Sequence, residues 1–234
     1  MADVYGARPA YPTALIDRLA ELAGVPSAAV LELGAGVGHV ALPLAARGFR
    51  VTAIEPAAAM LEQLRVQAAA RGLSVRALHA TSESVPCEPA EFELALIVDA
   101  LHFMDAALTG GELARVLAPG GTLAIVLCEL GDTPFMREVV RVMEESAPRR
   151  PRAVLPALRQ VSAVAGVALE PGQPFEDQTP VDHETLVQIL RSISFIGPAM
   201  NPERFEHFSS RIRALSDGPI WARRFTLYAG RRRG

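Results

Sequence analysis

A chain of 234 residues is long enough to bury a full core as one domain with a small appended cap. Half of its residues are hydrophobic, but Arg, Glu, Asp or Pro interrupts every apolar stretch before it reaches the roughly 18 residues of a membrane helix, so no membrane partner is expected. The net charge of -3 gives no general attraction for phosphate backbones, and the tail Arg231-Arg232-Arg233 is too short to reverse it, which argues against nucleic acid as a partner.

Cys87 and Cys128 have neither CxxC spacing nor a nearby His cluster, so no metal site and no disulfide framework are expected, and a reduced compartment suits them. The first residues, Met1-Ala2-Asp3-Val4-Tyr5, lack the basic region and apolar segment of an export signal. The expectation is a mature chain starting at residue 1 in the cytoplasm.

In chain order, helical spacing of apolar side chains over residues 13 to 23 ends at Gly24 and Pro26, and the apolar run 28 to 33 reads as a buried strand. A glycine loop follows, then a helix over 37 to 47 closed by Gly48, and a strand at 50 to 54. The pattern continues with a helix over 57 to 71, strands at 74 to 78 and 92 to 98, a helix over 106 to 117 and a strand at 121 to 128 entered through Pro119-Gly120-Gly121. Strands that alternate with helices and are apolar on both faces predict a mostly parallel sheet covered on each side. Residues 133 to 146 read as a helix, and the proline-punctuated stretch 148 to 174 has mixed character suited to a cap. Helices over 182 to 195 and 201 to 215 are opened by Asp182 and by Asn201 with Pro202, and 221 to 228 alternates as a last strand.

In an open parallel sheet a ligand meets the carboxyl ends of the strands, first at the turn after the first strand. Here that turn holds Gly34, Gly36 and Gly38 and leads into a helix whose first N–H groups can face a carboxylate or a phosphate. A dinucleotide fingerprint requires G-x-G-x-x-G, but His39 stands at the third glycine position, and the spacing is G-x-G-x-G behind Glu32. Pyrophosphate, and with it a nicotinamide oxidoreductase, is disfavoured. Glu55 ends the second strand where a carboxylate can accept both hydroxyls of a ribose, which supports a nucleoside without choosing one.

Three segments together resemble the class I S-adenosylmethionine-dependent methyltransferases, and within them the small-molecule branch often called methyltransferase type 11. Val30 to Gly38 is similar to the family's first motif, Ile54-Glu55-Pro56 to its second, and Leu113 to Leu123 to the segment entering its fifth strand. The resemblance implies an α/β fold with a Rossmann-like, doubly wound, mostly parallel seven-stranded sheet, helices on both faces and a small helical cap. It divides the chain into an N-terminal helical arm or lid (1–26), a core binding S-adenosyl-L-methionine (27–132), a helical cap and substrate region with a late strand (133–219), and a final strand with the basic tail (220–234). The cofactor contacts it implies are Glu32, Gly34, Ala35, Gly36, Gly38, Glu55, Pro56 and Met60, with the Gly34 to Gly38 backbone facing the methionine portion and Glu55 at the ribose. Ser82 and Glu83 are implied at the adenine, Asp99 and Ala100 on the methionine and substrate side, and Tyr5 and Tyr11 on the arm. The family commonly carries Asp in the adenine turn where this chain has Thr81 and Ser82.

A sulfonium makes its methyl group electrophilic, so the protein must place a nucleophile in line and, for a hydroxyl, take up its proton. His102, three residues after Asp99, is the first candidate base, since His is the usual base near neutral pH. Glu129, after the fifth strand, is the second. His39, His79, His183 and His207 read as structural or solvated, and Arg191 to Ile196 reads as an amphipathic helix or a substrate contact. The expectation is a methyltransferase acting on O, N, S or C of a small molecule, as a monomer or homodimer; use of the bound cofactor without methyl transfer is the alternative.

Overall fold

The computed structural model describes residues 6–147, 154–216 and 218–233. They form α1 (Thr13–Ala23), β1 (Ala29–Leu33), α2 (Ala41–Ala46), β2 (Arg50–Ile54), α3 (Ala58–Ala70), β3 (Val75–Leu78), β4 (Phe92–Val98) and a 3-10 turn (Leu101–Phe103). There follow α4 (Ala106–Val116), β5 (Leu117–Leu130), α5 (Pro134–Ser146), α6 (Val154–Val164), β6 (Gln173–Pro180), α7 (His183–Arg191), α8 (Pro202–Arg213) and β7 (Ile220–Arg231).

The strands make one sheet in the order β3-β2-β1-β4-β5-β7-β6, in which β1–β2, β1–β4, β2–β3 and β4–β5 pair in parallel. The Arg232 N–H bonds the Gly121 carbonyl at 2.8 Å and the Gly131 N–H bonds the Ala222 carbonyl at 2.8 Å, so β7 runs antiparallel to β5. The chain passes from β1 outward through β2 and β3 and returns to lie on the other side of β1 as β4. The order therefore reverses between β1 and β4, which is where open sheets of this kind receive ligands.

The seven-stranded, mostly parallel α/β architecture agrees with the expectation, and burial explains it. Every residue of β1 is buried, and in β4 only Glu93 reaches solvent, donating nothing and accepting the Ala29 N–H at 2.6 Å. Alternate side chains feed opposite faces. Val30, Val51, Leu94, Leu96 and Val98 pack with Leu15, Ile16 and Leu19 of α1, while Leu31, Leu33, Ala95, Ile97 and Ile125 pack with Leu113 and Val116 of α4 and Leu158 and Val161 of α6. Full burial of each such Leu, Ile or Val stabilises the fold by roughly 1.5–3 kcal/mol.

The helix after the glycine loop starts at Ala41, later than the expected 37, because Gly38 has φ +93 and cannot join a right-handed helix. Two elements inside 148 to 174 were not separately foreseen: α6, and the start of β6. β6 is polar, with Pro174 inside it and Pro180 at its end, and lies at the edge of the sheet, the one place where a strand tolerates proline. Residues 148–153 lie outside the described residues.

The chain divides into two compact units. The larger comprises Tyr11–Cys128, Arg152–Phe175 and Phe225–Gly234. The smaller comprises Met1–Ala10, Glu129–Pro151 and Glu176–Arg224, with its own core of Met136, Val139, Leu186, Ile189, Leu190, Phe208, Ile212 and Trp221. Its helices α5, α7 and α8 are capped by side chains of Thr133, Asp182 and Asn201. Within it, buried Arg223 pairs with Asp177 and donates to the carbonyls of Pro9 at 3.0 Å and Ala10 at 2.5 Å, while Arg8 donates to the Ser192 hydroxyl at 2.7 Å. Among the described residues no helix is long and apolar enough to cross a membrane, and no His, Cys, Asp and Glu cluster fit for a metal ion is present.

Candidate active site

The turn after β1 is built from left-handed backbone. Gly34, Gly36 and Gly38 have φ of +74, +57 and +93. Gly34 also cannot carry a side chain, since a Cβ there would stand 2.7 Å from the Ala100 Cβ and 3.3 Å from the Met104 Cε. The close approach brings the turns after β1 and β4 together at the switch point. The N–H groups of Gly34 and Ala35 both bond the Ile54 carbonyl, at 2.9 and 3.0 Å, which ties the loop to the end of β2.

Glu55 follows directly from that strand end. Its buried carboxylate accepts the Gly36 N–H on Oε2 and the Ala57 N–H on Oε1, both at 2.8 Å. Each oxygen keeps lone pairs for a further donor, and the two backbone bonds fix its direction. Pro56, exposed, offers its carbonyl to His79 Nε2 at 2.8 Å, so that nitrogen carries the proton, and Met60 lies half-buried in the first turn of α3.

Glu32 differs in kind. It is 3% exposed, takes a backbone hydrogen bond from Ala41, and leaves Oε2 with no partner among the described residues. Burial, reinforced by the nearby Glu55 charge, pushes its carboxyl up to about 8. A buried acid that holds its proton at neutral pH and has one oxygen unmatched is suited to a donor or cation brought in by a ligand.

The turn after β3 is held by α4. Burial pushes the Glu83 carboxyl up, but hydrogen bonds from the Asp105 N–H at 2.9 Å and from Thr81 and Ser82 outweigh it and hold Glu83 below the usual carboxylate range. The Ser82 hydroxyl is buried and accepts from Thr109 at 3.0 Å, whereas Thr81 is exposed. Further along, Arg115 donates to the carbonyls of Val85 and Cys87, each at 2.6 Å, and Glu112 accepts the Val85 N–H at 2.7 Å. These α4 residues were missed in the sequence. Asp105 at the N-cap of α4 and Thr109, Glu112 and Arg115 within it recur at helical spacing on an otherwise apolar helix, which was the available signal.

After β4 the chain turns at Asp99, whose φ of +50 is a left-handed conformation that Asp tolerates better than most residues. That turn delivers Ala100 against Gly34. His102 follows in the 3-10 turn, half-buried, its ring centroid 4.0 Å from that of the exposed Phe103. Glu129 lies in the smaller unit, exposed, with its carboxylate 3.1 Å from Arg224. Tyr11 packs its ring 5.4 Å from Phe225 and 6.4 Å from His39, beside the glycine loop. Tyr5 lies outside the described residues. The larger unit thus gathers Glu32, Gly34, Ala35, Gly36, Gly38, Glu55, Ser82, Glu83, Asp99, Ala100 and His102 at the carboxyl ends of β1 to β4.

Comparison with known proteins gives these residues a setting. Residues 30–121 match a family described as a methyltransferase domain. An uncharacterized methyltransferase of Mycobacterium tuberculosis is 37% identical over 153 residues, 64% of this chain and 59% of that protein, so the chain spans about three-fifths of that relative's length. The YcgJ protein of Bacillus subtilis has the same fold at 20% identity, with a TM-score of 0.65 over 94% of this chain and 98% of that one. A geranyl diphosphate methyltransferase solved with S-adenosylmethionine shares the fold at 16% identity, with a TM-score of 0.56 over 94% of this chain and 84% of that one.

Proposed function

We propose, from the premise that this chain belongs to the class I S-adenosylmethionine-dependent methyltransferases, that it transfers the methyl group of S-adenosylmethionine to a small-molecule nucleophile. The observation that carries the reading is the left-handed glycine loop whose Gly36 N–H is bonded to the Glu55 carboxylate at 2.8 Å, with the unmatched Glu32 oxygen buried behind the same loop. Loop and carboxylates fit a nucleoside carrying a cationic, amino-acid-like arm. Bound there, the cofactor supplies a sulfonium-activated methyl group.

The chain's own residues then divide the work. Glu55 uses its remaining lone pairs for the ribose hydroxyls, aligned by Gly36 and Ala57. Glu32 faces the positive methionine portion, and a cation beside it draws off its proton. Gly34, Ala35 and Gly38 shape the floor, and Pro56 and Met60 flank the ribose. At the adenine, Thr81, Ser82 and Glu83 form the turn that meets the base, with the Glu83 carboxylate aligned by the Asp105 N–H. Asp99 and Ala100 border the methyl group on the acceptor side.

His102 is the general base where the acceptor must lose a proton, because it shares the larger unit with the glycine loop, whereas Glu129 is engaged with Arg224. Tyr11, beside the glycine loop, flanks the cofactor, and residues 133–219 select the acceptor, since the cofactor half is generic. The setting is cytoplasmic, without nucleic acid, as a monomer or homodimer.

Calorimetric titration tests the site. The wild type should bind S-adenosylmethionine and S-adenosylhomocysteine, and Glu55→Ala should weaken both. Failure of the wild type to bind either one removes the reading.

A further inference from the structure

We infer that Arg115, together with Glu112, is a positioning residue that sets the turn Ser82–Cys87 in the shape that selects adenine over other bases. The inference rests on the proposed cofactor site. Between β3 and β4 the chain carries no helix or strand of its own except the small bridge between Thr81 and Ser84. Its shape must therefore come from what it is tied to.

The ties come from one side of α4. Asp105, Thr109, Glu112 and Arg115 follow one another at intervals of four, three and three, which places them along one helix face. Each is bonded to a part of the turn. The Asp105 N–H donates to Glu83, the Thr109 hydroxyl to the Ser82 hydroxyl, the Val85 N–H to Glu112, and the Arg115 guanidinium to the carbonyls of Val85 and Cys87. The Arg115 backbone carbonyl also accepts the Ala90 N–H at 2.9 Å, closing the segment before β4. Glu112 bonds Arg115 at 2.7 Å and so holds the guanidinium in the plane that reaches both carbonyls.

This arrangement uses the fork of arginine. One planar group satisfies two carbonyls two residues apart, which a lysine ammonium on a flexible stem cannot do in fixed geometry. The C-terminal side of the turn has other support, since Arg76 reaches the Pro86 carbonyl at 3.4 Å and pairs with Glu91 at 2.9 Å. Loss of Arg115 should thus loosen the turn while the sheet stays folded. The face of the turn at Thr81, Ser82 and Glu83 is the part proposed to meet the base. Its selectivity for an amino group depends on where backbone and hydroxyl groups are held to within a few tenths of an ångström.

The test uses the full chain and two ligands that share ribose and homocysteine: S-adenosylhomocysteine, and S-inosylhomocysteine, in which oxygen replaces the adenine amino group. Dissociation constants are measured for wild type, Arg115→Ala and Arg115→Lys, with thermal denaturation alongside. The wild type should prefer the adenosyl ligand. Arg115→Ala should cut that preference by about tenfold, the worth of one well-placed hydrogen bond, with most of the change in the adenosyl constant. Arg115→Lys should fall between the two. A residue of purely structural importance would shift both constants by the same factor, and that result, or an unchanged ratio, overturns the inference. If Arg115→Ala fails to fold, the Arg115→Lys ratio decides in the same way. A wild type that binds both ligands equally overturns the inference while leaving the cofactor site standing. A wild type that binds neither overturns both.

Discussion

Replacing Glu32 by Gln should change how stability depends on pH, and the sign follows from the burial of this carboxyl. In the folded chain burial pushes it up to about 8, against the 4.5 of an ordinary exposed carboxyl. Below the unfolded value the group is protonated in both states and its contribution to stability is fully present. As pH rises from there, the unfolded chain releases the proton and the folded chain keeps it, so the unfolded state is favoured progressively until the folded value is passed. The slope in that window is about 1.4 kcal/mol per pH unit from this one group, on the order of 5 kcal/mol across it. Gln keeps an oxygen for the Ala41 N–H and cannot titrate. Urea denaturation of both proteins at intervals from pH 5 to 8 isolates the effect, because titrating groups that do not interact with Glu32 cancel in the difference. Relative to Glu32→Gln, the wild type should lose stability steadily as pH rises. Parallel curves would refute the argument, showing that Glu32 is ionised in the folded chain.

Further outcomes follow from the same geometry. Gly110 and Gly111 are neighbours in α4, but a Cβ on Gly110 would stand 2.7 Å from Val164 and 2.9 Å from the Val161 carbonyl, while one on Gly111 meets nothing within 4 Å. Gly110→Ala should therefore destabilise by about 1–3 kcal/mol, and Gly111→Ala should stabilise by roughly 0.5–1 kcal/mol, as read by thermal denaturation; the same sign for both would contradict the packing of α4 on α6. Arg223→Met leaves Asp177 without its buried partner and two arm carbonyls without donors, so stability should fall by about 3 kcal/mol, with faster proteolysis near residues 6–10; an unaltered melting temperature would count against the clamp. His102→Gln should lower kcat by about 100-fold for an acceptor that loses a proton and leave cofactor affinity near the wild-type value. An unchanged kcat would leave His102 as a packing partner of Phe103.

Much of the larger unit was legible because its signals are local. A five-residue strand buried on both faces, the glycines behind it and Glu55 at the next strand end each follow from short-range pattern, and β4 has the expected bounds of 92 and 98. The parts that escaped depend on tertiary context. β6 is polar and proline-bearing and becomes a strand only because an edge position accepts such a sequence. The start of α2 at Ala41 is set by the positive φ of Gly38, a feature that the helical composition of 37 to 47 conceals. At the site, residue types pointed to Glu32 and Glu55, but their difference could not be read from sequence. Glu55 has two backbone donors, whereas Glu32 is buried with one oxygen unmatched. Arg115 was hidden for a related reason: it lies about 30 residues from the carbonyls it holds, within a motif that reads as the approach to β5.

Methyl transfer to a small molecule is tested by following the label. Purified protein is incubated with methyl-labelled S-adenosylmethionine and a panel of small hydroxyl, amine, thiol and carbon nucleophiles, and the mixture is analysed by mass spectrometry. A single acceptor class should gain one labelled methyl group, with S-adenosylhomocysteine formed in equal amount and both lost in Glu55→Ala. Cofactor that binds yet is recovered intact with every acceptor would contradict it.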